Sequence, residues 1–331
     1  MQRRFCLAIA LLAILTWSGG AISQSEYSAA KAYLDAMEYV QKGSYSDALP
    51  LLRAAVSDSA NFVEAQYNLG FTYERLGVVD SAGIAYAAAL SLDSTLVAAH
   101  FGLSTVALRK QDYATAVSHL RKATELDSMS ADAYFSLGAA LDQTNDLDGA
   151  LAALEKAIQI KPGYVDAHYQ LAATRFRKAA SDKDYPDVIA AYKKALELGP
   201  THGNAPVAYF YLAKMYLALK QNEQAVAAAD SAVSLKPDMA QAYFVKGKAL
   251  SNLAKDNDAI AAYKKAIETK QNYGSAHFEL GRIYHKKEQW QLALKEYNLA
   301  AQDKSSPQTP AAIKAAKGIE DYLKQTAAQG Q

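Results

Sequence analysis

The sequence predicts an all-α protein, an α-solenoid of stacked antiparallel helix pairs. A short unit repeats along the chain, alanine is abundant in segments with helical periodicity, and no segment alternates as a half-buried strand would. Because one helix pair of this size cannot cover its own apolar face, neighbouring copies must stack. Eight alanines mark the repeat at steps of 34, 34, 34, 38, 37, 34 and 34 residues: Ala55, Ala89, Ala123, Ala157, Ala195, Ala232, Ala266 and Ala300.

The amino terminus differs from the rest of the chain. Two arginines precede an apolar run of 13 residues (5–17), and small residues follow it. This order is typical of a secretory signal peptide, and the run is shorter than the roughly 20 residues that a membrane span needs. We predict a signal peptide over residues 1–23, with cleavage after Ser23 or, nearly as well, after Ala21. The alternative is an uncleaved signal that tethers the protein.

The cysteine and charge content exclude several classes of function. Cys6 is the only cysteine and lies inside the apolar run, so neither disulfides nor an amino-terminal lipid is indicated. Without residues 1–23 the chain carries 33 Lys and Arg against 34 Asp and Glu. A nucleic-acid-binding protein needs a basic surplus or stripe, which this balance does not supply. We therefore expect no nucleic-acid partner, and no integral membrane span in the mature chain.

Each copy of the unit has a small residue where two helices must approach closely. When the copies are aligned on the eight alanines, no side chain at the eighth position is larger than serine, because bulk there would overpack the contact. Alanine also recurs at the twentieth position in seven copies, where the second helix crosses back. The small residues of the eighth position are Ala36, Gly70, Ser104, Gly138, Ala172, Ala213, Gly247 and Gly281.

This combination resembles the tetratricopeptide repeat. Residues 68–73, followed by Ala82, Tyr86 and Ala89, match the family's pattern of small and large residues, and proline or a small polar residue ends most units. The resemblance covers residues 29–306 as eight units. It implies a superhelix in which the first helix of each pair lines an inner, concave groove.

Two insertions interrupt the regular spacing. Four extra residues lie within 178–187, and three more, 203–205, precede the sixth unit. We predict a kink or softened joint in this irregular and extended segment, residues 178–206, between units one to five and units six to eight. A harmless loop insertion is the alternative.

The carboxyl terminus is predicted to form one further helix. Residues 304–310 are expected to be a linker, residues 311–324 an amphipathic helix, and residues 326–331 a frayed end. The helix resembles the solvating helix that closes arrays of this family. Five of its residues are available for one apolar face: Ile313, Ala316, Ile319, Tyr322 and Leu323.

The fifth position of the first helix is aromatic in every unit. By the resemblance these rings face the concave groove, where they would anchor a peptide or stack on a glycan ring. The competing interpretation is that they pack between successive helices, which is ordinary for aromatic residues at this position in the family. The aromatic residues are Tyr33, Tyr67, Phe101, Phe135, Tyr169, Phe210, Phe244 and Phe278.

The ninth position becomes basic in the last three units, which carry Lys214, Lys248 and Arg282. Three cations in register, with Lys286 nearby, favour a carboxylate or an acidic peptide as ligand through charge-assisted hydrogen bonds. The alternative is a solvated face with ordinary lysines. The candidate groove therefore consists of Tyr67, Phe101, Phe135, Tyr169, Phe210, Lys214, Phe244, Lys248, Phe278 and Arg282.

No sequence motif indicates catalysis or a cofactor. A phosphate-cradling glycine loop, a nucleophile elbow and a cluster of cysteines and histidines are all missing from the sequence. His100, His168 and His277 share the fourth position of their units, and none has a partner at the i, i+4 spacing of a helical zinc pair. We expect no enzymatic activity, no cofactor and no metal. The family's clamp for carboxyl-terminal peptides needs lysine and asparagine at the fifth and ninth positions, which this sequence does not have.

The sequence thus predicts an exported, non-enzymatic scaffold or adaptor, located in the periplasm. It would bind another cell-envelope protein, as a protein or peptide ligand, through the groove of its last three units. The alternative is a component of an exopolysaccharide-export or cell-wall assembly machine whose groove contacts glycan directly. A secreted protein, or one tethered by its uncleaved signal, is the alternative for location.

Overall fold

The structure is a computed structural model that describes residues 23–329. Within these residues it has seventeen α-helices, one short 3-10 helix and no strand, so the predicted all-α fold is confirmed. The predicted signal peptide lies outside the described residues, except for Ser23. That residue caps the first helix, and the Glu26 carboxylate accepts hydrogen bonds from its backbone N–H and hydroxyl, both at 2.8 Å. None of the helices within residues 23–329 is both long and apolar enough to cross a membrane.

The described residues form two compact units, an N-terminal unit (residues 23–167) and a C-terminal unit (residues 168–329). The helices of the N-terminal unit are α1 (Gln24–Gln41), α2 (Tyr45–Asp58), α3 (Val63–Arg75), α4 (Val79–Leu92), α5 (Val97–Arg109), α6 (Tyr113–Leu126), α7 (Ala131–Gln143) and α8 (Leu147–Ile160). Helix α9 (Val165–Lys178) begins in the last residues of the N-terminal unit and continues into the C-terminal unit. There α10 (Tyr185–Leu198), α11 (Ala205–Ala218), α12 (Asn222–Leu235), α13 (Ala240–Asn252), α14 (Asp256–Thr269), α15 (Gly274–Lys286), α16 (Trp290–Gln302) and α17 (Thr309–Gln329) follow.

In the N-terminal unit, α1 to α8 form four helix pairs, and each helix packs against the next one in the chain. The eight alanines that mark the repeat lie in the cores of the two units, and each is at most 1% exposed. A Cβ atom added to Gly138 would lie 2.6 Å from Cγ of Leu154 on α8. The eighth position is therefore a close helix contact, for the reason that the spacing predicted.

The turn inside each pair of the N-terminal unit has one residue in the left-handed region. These residues are 34 positions apart, with φ between 59° and 78°. Glycine adopts this conformation at little cost, but only two of the four are glycines. The four residues are Gly43, Gly77, Gln111 and Asn145.

A pair of histidines links α5 to α6 in the N-terminal unit. Nδ1 of His100 lies 3.1 Å from Nδ1 of His119, and Nε2 of His100 lies 3.2 Å from the carbonyl oxygen of Ser94. Because a carbonyl only accepts hydrogen bonds, Nε2 of His100 carries the proton and its bare Nδ1 accepts the hydrogen bond from His119. The pair therefore joins α5 to α6 through one ring-to-ring hydrogen bond.

Acid is expected to weaken the N-terminal unit through His119. Burial, and then the neighbouring His100, lower the pKa of His119 below its ordinary value of about 6.5. The unfolded chain then binds this proton at a higher pH than the folded chain, so the free energy of unfolding is largest above about pH 6.5 and falls as the pH drops toward the lowered pKa. His119 lines a cavity at the surface of this unit, and the charged residues that line the same cavity are Asp80, Lys110 and Asp112.

The test is chemical denaturation of wild type and His119→Gln at pH 7.5 and pH 5.0. We expect the urea midpoint of the wild type to fall more between these two values than that of the variant, which has no titrating ring at position 119. Equal losses in the two proteins would contradict a role for the pair in acid sensitivity.

The irregular segment of the C-terminal unit is ordered by local hydrogen bonds. A 3-10 helix (Asp182–Asp184) follows α9, and Oδ2 of Asp184 accepts hydrogen bonds from the backbone N–H groups of Ala180 and Ser181, both at 2.9 Å. Proline lies in the first turn of both α10 and α11, which suits a position without a hydrogen-bond partner for N–H. The softened joint at residues 178–206 stays a prediction.

The last helix is longer than the predicted 311–324. It starts at Thr309, inside the predicted linker, and the Thr309 hydroxyl donates hydrogen bonds to the carbonyl oxygens of Asp303 (2.5 Å) and Ser306 (2.9 Å). It also continues to Gln329, through the end that was expected to fray. The apolar face is narrower than predicted: Ile319 is buried, but Ile313 and Tyr322 are 55% and 44% exposed.

Candidate functional site

The predicted aromatic residues of the N-terminal unit pack against their neighbours. The rings of Tyr67 and Tyr86 are 5.7 Å apart between centroids, and those of Phe135 and Tyr164 are 5.1 Å apart. Phe101 is half-buried against the core cluster of α5 to α8. In this unit much of the surface of the three rings is therefore buried in contacts between helices, which favours the interpretation that these aromatic residues serve packing.

Tyr169 is a correction to the predicted groove. It is 3% exposed, its hydroxyl donates a 2.7 Å hydrogen bond to the carbonyl oxygen of Gly199, and its ring stacks on His202. Burial raises the pKa of its phenol to about 12. The side chain supports the loop after α10 and offers a ligand little surface.

The C-terminal unit contains a pocket of about 790 Å³ that is lined by five of the ten predicted groove residues. We call it the basic pocket. Its walls come from α11, α13 and α15, the first helices of the last three pairs, and the regular repeat brings their fifth and ninth positions side by side. The predicted residues that line it are Phe210, Lys214, Phe244, Lys248 and Arg282. Phe278 is not among the lining residues, and its ring packs 5.6 Å from that of Tyr297.

Two ammonium groups of the basic pocket lie over aromatic rings. Nζ of Lys214 is 5.5 to 5.7 Å from the ring centroids of Phe176, Phe210 and Tyr211. Nζ of Lys248 is 5.9 Å from that of Phe244. Neither lysine has a carboxylate within salt-bridge distance among the described residues. Both cations are thus held at the pocket without being neutralised.

Arg282 is the third cation and is partly compensated. Its Nη1 donates a 2.8 Å hydrogen bond to the carboxylate of Glu279, which is mostly buried, whereas the Arg282 side chain is 61% exposed. Glu279 is the one acid among the residues that line the pocket, against four cations, the fourth being Lys220. Lys286, which was expected nearby, instead forms a 3.0 Å salt bridge with Asp256. The lining residues therefore carry a net positive charge.

The comparisons with known families match several parts of the chain. Models of the tetratricopeptide repeat family match residues 36–77, 63–96, 101–165, 207–239 and 255–288. Together with the stacked helix pairs and the close contacts at the eighth position, these matches decide the family. The chain belongs to the tetratricopeptide repeat family.

Solved structures of other tetratricopeptide repeat proteins are similar to it in fold. YrrB, a TPR protein with an unusual peptide-binding site, is 20% identical, with a TM-score of 0.51, over 58% of this chain and 95% of its own. MamA from Desulfovibrio magneticus RS-1 is 23% identical, with a TM-score of 0.50, over 55% of this chain and 99% of its own. No curated protein matches the sequence.

The structure adds two tyrosines to the site of this tetratricopeptide repeat protein. Tyr263 on α14 and Tyr273, which precedes α15, line the basic pocket, and both rings pack within 6 Å of Phe244. Burial, and then the Glu279 carboxylate, raise the pKa of Tyr263, so its phenol keeps its proton. Sequence reasoning missed both residues because they lie outside the fifth and ninth positions. The separation in sequence between Phe244 and these two tyrosines did not indicate that the three rings would meet.

The two units of this tetratricopeptide repeat protein differ in charge. Residues 23–167 carry 10 Lys and Arg against 18 Asp and Glu, whereas residues 168–329 carry 23 against 16. The near-zero balance of the whole chain therefore hides a net charge of −8 on the N-terminal unit and +7 on the C-terminal unit. The basic pocket lies in the unit whose net charge is positive.

Proposed function

We propose that this protein is an exported scaffold of the cell envelope that binds an acidic, extended segment of another envelope protein in its basic pocket. The observation that carries the proposal is one pocket in which Lys214, Lys248 and Arg282 stand beside Phe210 and Phe244. No enzymatic step is part of the proposal. The protein acts by positioning its partner.

The chemistry of the pocket suits a peptide with carboxylate side chains. Ammonium and guanidinium groups form short, charge-assisted hydrogen bonds with carboxylates, and the aromatic rings provide apolar area without loss of side-chain freedom. The helices hold these groups in place before the ligand binds. Most of the conformational entropy that is lost on binding is therefore lost by the partner segment. The +7 charge of the C-terminal unit raises the rate of encounter with an acidic partner.

Location and peptide binding have separate support. The envelope location rests on the amino-terminal pattern of two arginines, an apolar run and small residues. Peptide recognition is supported by YrrB, which has the same fold and a peptide-binding site. A glycan ligand is less well supported, because the rings of Tyr263 and Tyr273 pack against that of Phe244 at 50° and 40° and the three do not form a flat open platform.

The test is affinity capture from a cell-envelope extract with three immobilised forms of the protein. The first is the wild type, the second carries Lys214→Glu, Lys248→Glu and Arg282→Glu, and the third carries three reversals at exposed lysines of the same unit. These control lysines lie outside the pocket: Lys236, Lys264 and Lys317.

The expected result is one envelope protein that wild type and control recover and that the pocket variant loses at least tenfold. Because both variants change the net charge equally, the loss would be due to the pocket. The proposal is wrong if all three forms recover the same proteins. If none recovers a protein and all bind a neutral oligosaccharide from the envelope, glycan is the ligand.

A further inference from the structure

A second, apolar pocket lies next to the basic pocket in the C-terminal unit. It has a volume of about 490 Å³ and lies between the end of α15, the start of α16 and the exposed side of α17. We call it the apolar pocket. Its lining includes Trp290, Ile319, Tyr322, two alanines and Gly318, with His285 and Lys314 as the polar members.

The two pockets are neighbours on one face of α15. Arg282 lines the basic pocket and His285 lines the apolar pocket. Residues three apart lie on the same side of a helix, about 4.5 Å apart along its axis. The edges of the two pockets are therefore adjacent on α15, so a segment that lies across the basic pocket and continues past Arg282 comes to the apolar pocket.

The apolar pocket has a corner of packed aromatic rings and an open space. The Trp290 ring is 4.8 Å from that of Tyr322 and 5.2 Å from that of His285, so three rings form one corner. A Cβ atom added to Gly318 would meet no heavy atom within 4 Å, so the space above α17 is unfilled. Tyr322 is 44% exposed although it lies on an amphipathic helix that closes the array. These features are typical of a site for one large apolar side chain.

Resting on the proposed function, we propose that the apolar pocket selects the ligand: the acidic segment that binds the basic pocket carries a large apolar residue that fills the space between Trp290, Gly318 and Tyr322. The partner segment is therefore recognised by two features at fixed positions: carboxylates that bind the basic pocket, and an apolar residue next to them that binds the apolar pocket. Charge gives attraction, and the anchor distinguishes this segment from other acidic segments.

The test uses two acidic peptides of twelve residues that differ only at their ends. One has leucine at both ends, so that its direction does not matter, and the other has serine there. Burial of a leucine side chain gives an expected advantage of about tenfold or more in Kd for the leucine peptide with wild type. Gly318→Leu places a leucine side chain in the open space beside Trp290 and Tyr322, where the anchor would bind, and we expect this variant to lose the advantage while its affinity for the serine peptide is unchanged.

Two controls separate folding and the proposed function from this inference. Gly318→Ala is too small to fill the pocket and should keep the tenfold advantage, while both variants keep the melting temperature of wild type or exceed it, since glycine is unfavourable inside a helix. The double variant Lys214→Glu, Lys248→Glu should weaken binding of both peptides. If it does, and Gly318→Leu still prefers the leucine peptide tenfold, the apolar anchor is wrong and the proposed function stands. If wild type binds neither peptide, both are wrong.

A second copy of the protein is the competing occupant, because the N-terminal unit carries a net charge of −8. Sedimentation velocity of the protein without peptide at 50 mM and 500 mM salt tests this occupant. The inference expects a monomer at both. Salt-sensitive self-association that Gly318→Leu abolishes would overturn it.

Discussion

Gly138→Leu is expected to destabilise the N-terminal unit by about 3 kcal/mol or more, the largest effect of any single substitution considered for stability. A Cβ atom at this position would lie 2.6 Å from Cγ of Leu154 and 3.2 Å from the carbonyl oxygen of Ala150. The leucine at 154 is fully buried and cannot turn away, and the carbonyl belongs to the backbone of α8. The two helices must therefore separate, which breaks the contact that the repeat depends on.

The matched control is Gly163→Leu, which makes the same substitution in the turn after α8. A Cβ atom there would meet no heavy atom within 4 Å, so the expected change is within about 0.5 kcal/mol. Urea denaturation followed by far-ultraviolet circular dichroism measures both variants. If the two midpoints were equal, the eighth position would not be a close helix contact.

This close contact could be predicted from the sequence because a small residue occurs at the eighth position in all eight units. The small residue at the eighth position and the alanines that mark the units are buried for the same reason in every copy. The turns inside the pairs could not be predicted in this way. Gln111 adopts the same left-handed backbone as Gly43, Gly77 and Asn145, but glutamine carries no sequence signal for it, whereas glycine and asparagine do.

The candidate site was predictable where the spacing is regular. The last three units follow one another at steps of 34, so their fifth and ninth positions line up, and five of the six residues expected there line one pocket. At Tyr169 the same position has a different environment. The Gly199–Pro200 segment and the insertion after it bring a carbonyl oxygen to the Tyr169 hydroxyl, and a pattern of residue types does not report such a contact.

The charge of each unit was hidden for a related reason. The sequence supplies every charge, but the boundary between Ala167 and His168 comes from the packing of the helices. Averaged over the chain, the charges cancel, and they argue only against nucleic acid. Divided at the boundary, they place the basic pocket in a unit of net charge +7, which is the setting that an acidic partner needs.

Lys248→Glu is expected to weaken binding of an acidic peptide by about 100-fold. Lys248 lies on the central helix of the basic pocket, between the helices of Lys214 and Arg282, so a ligand that spans the pocket passes it. Loss of a charge-assisted hydrogen bond costs about 1.5–3 kcal/mol, and the new carboxylate repels those of the peptide, for a total near 3 kcal/mol, which corresponds to about 100-fold in Kd. Fluorescence anisotropy with a labelled acidic peptide measures the change.

Lys264→Glu is the matched control, because Lys264 is exposed on α14 and does not line the pocket. It changes the net charge of the C-terminal unit equally but acts only at long range. At 0.15 M salt, where the screening length is about 8 Å, we expect it to change Kd by less than threefold. Two results would contradict binding in the pocket: a change in Kd for Lys248→Glu that is no larger than the change for Lys264→Glu, or changes in Kd for both variants that vanish at moderate salt. Either result would mean that the charge of the unit attracts the peptide and that the pocket does not bind it. A difference that persists at moderate salt requires direct contact, because screening removes long-range attraction and leaves a hydrogen-bonded pair largely intact.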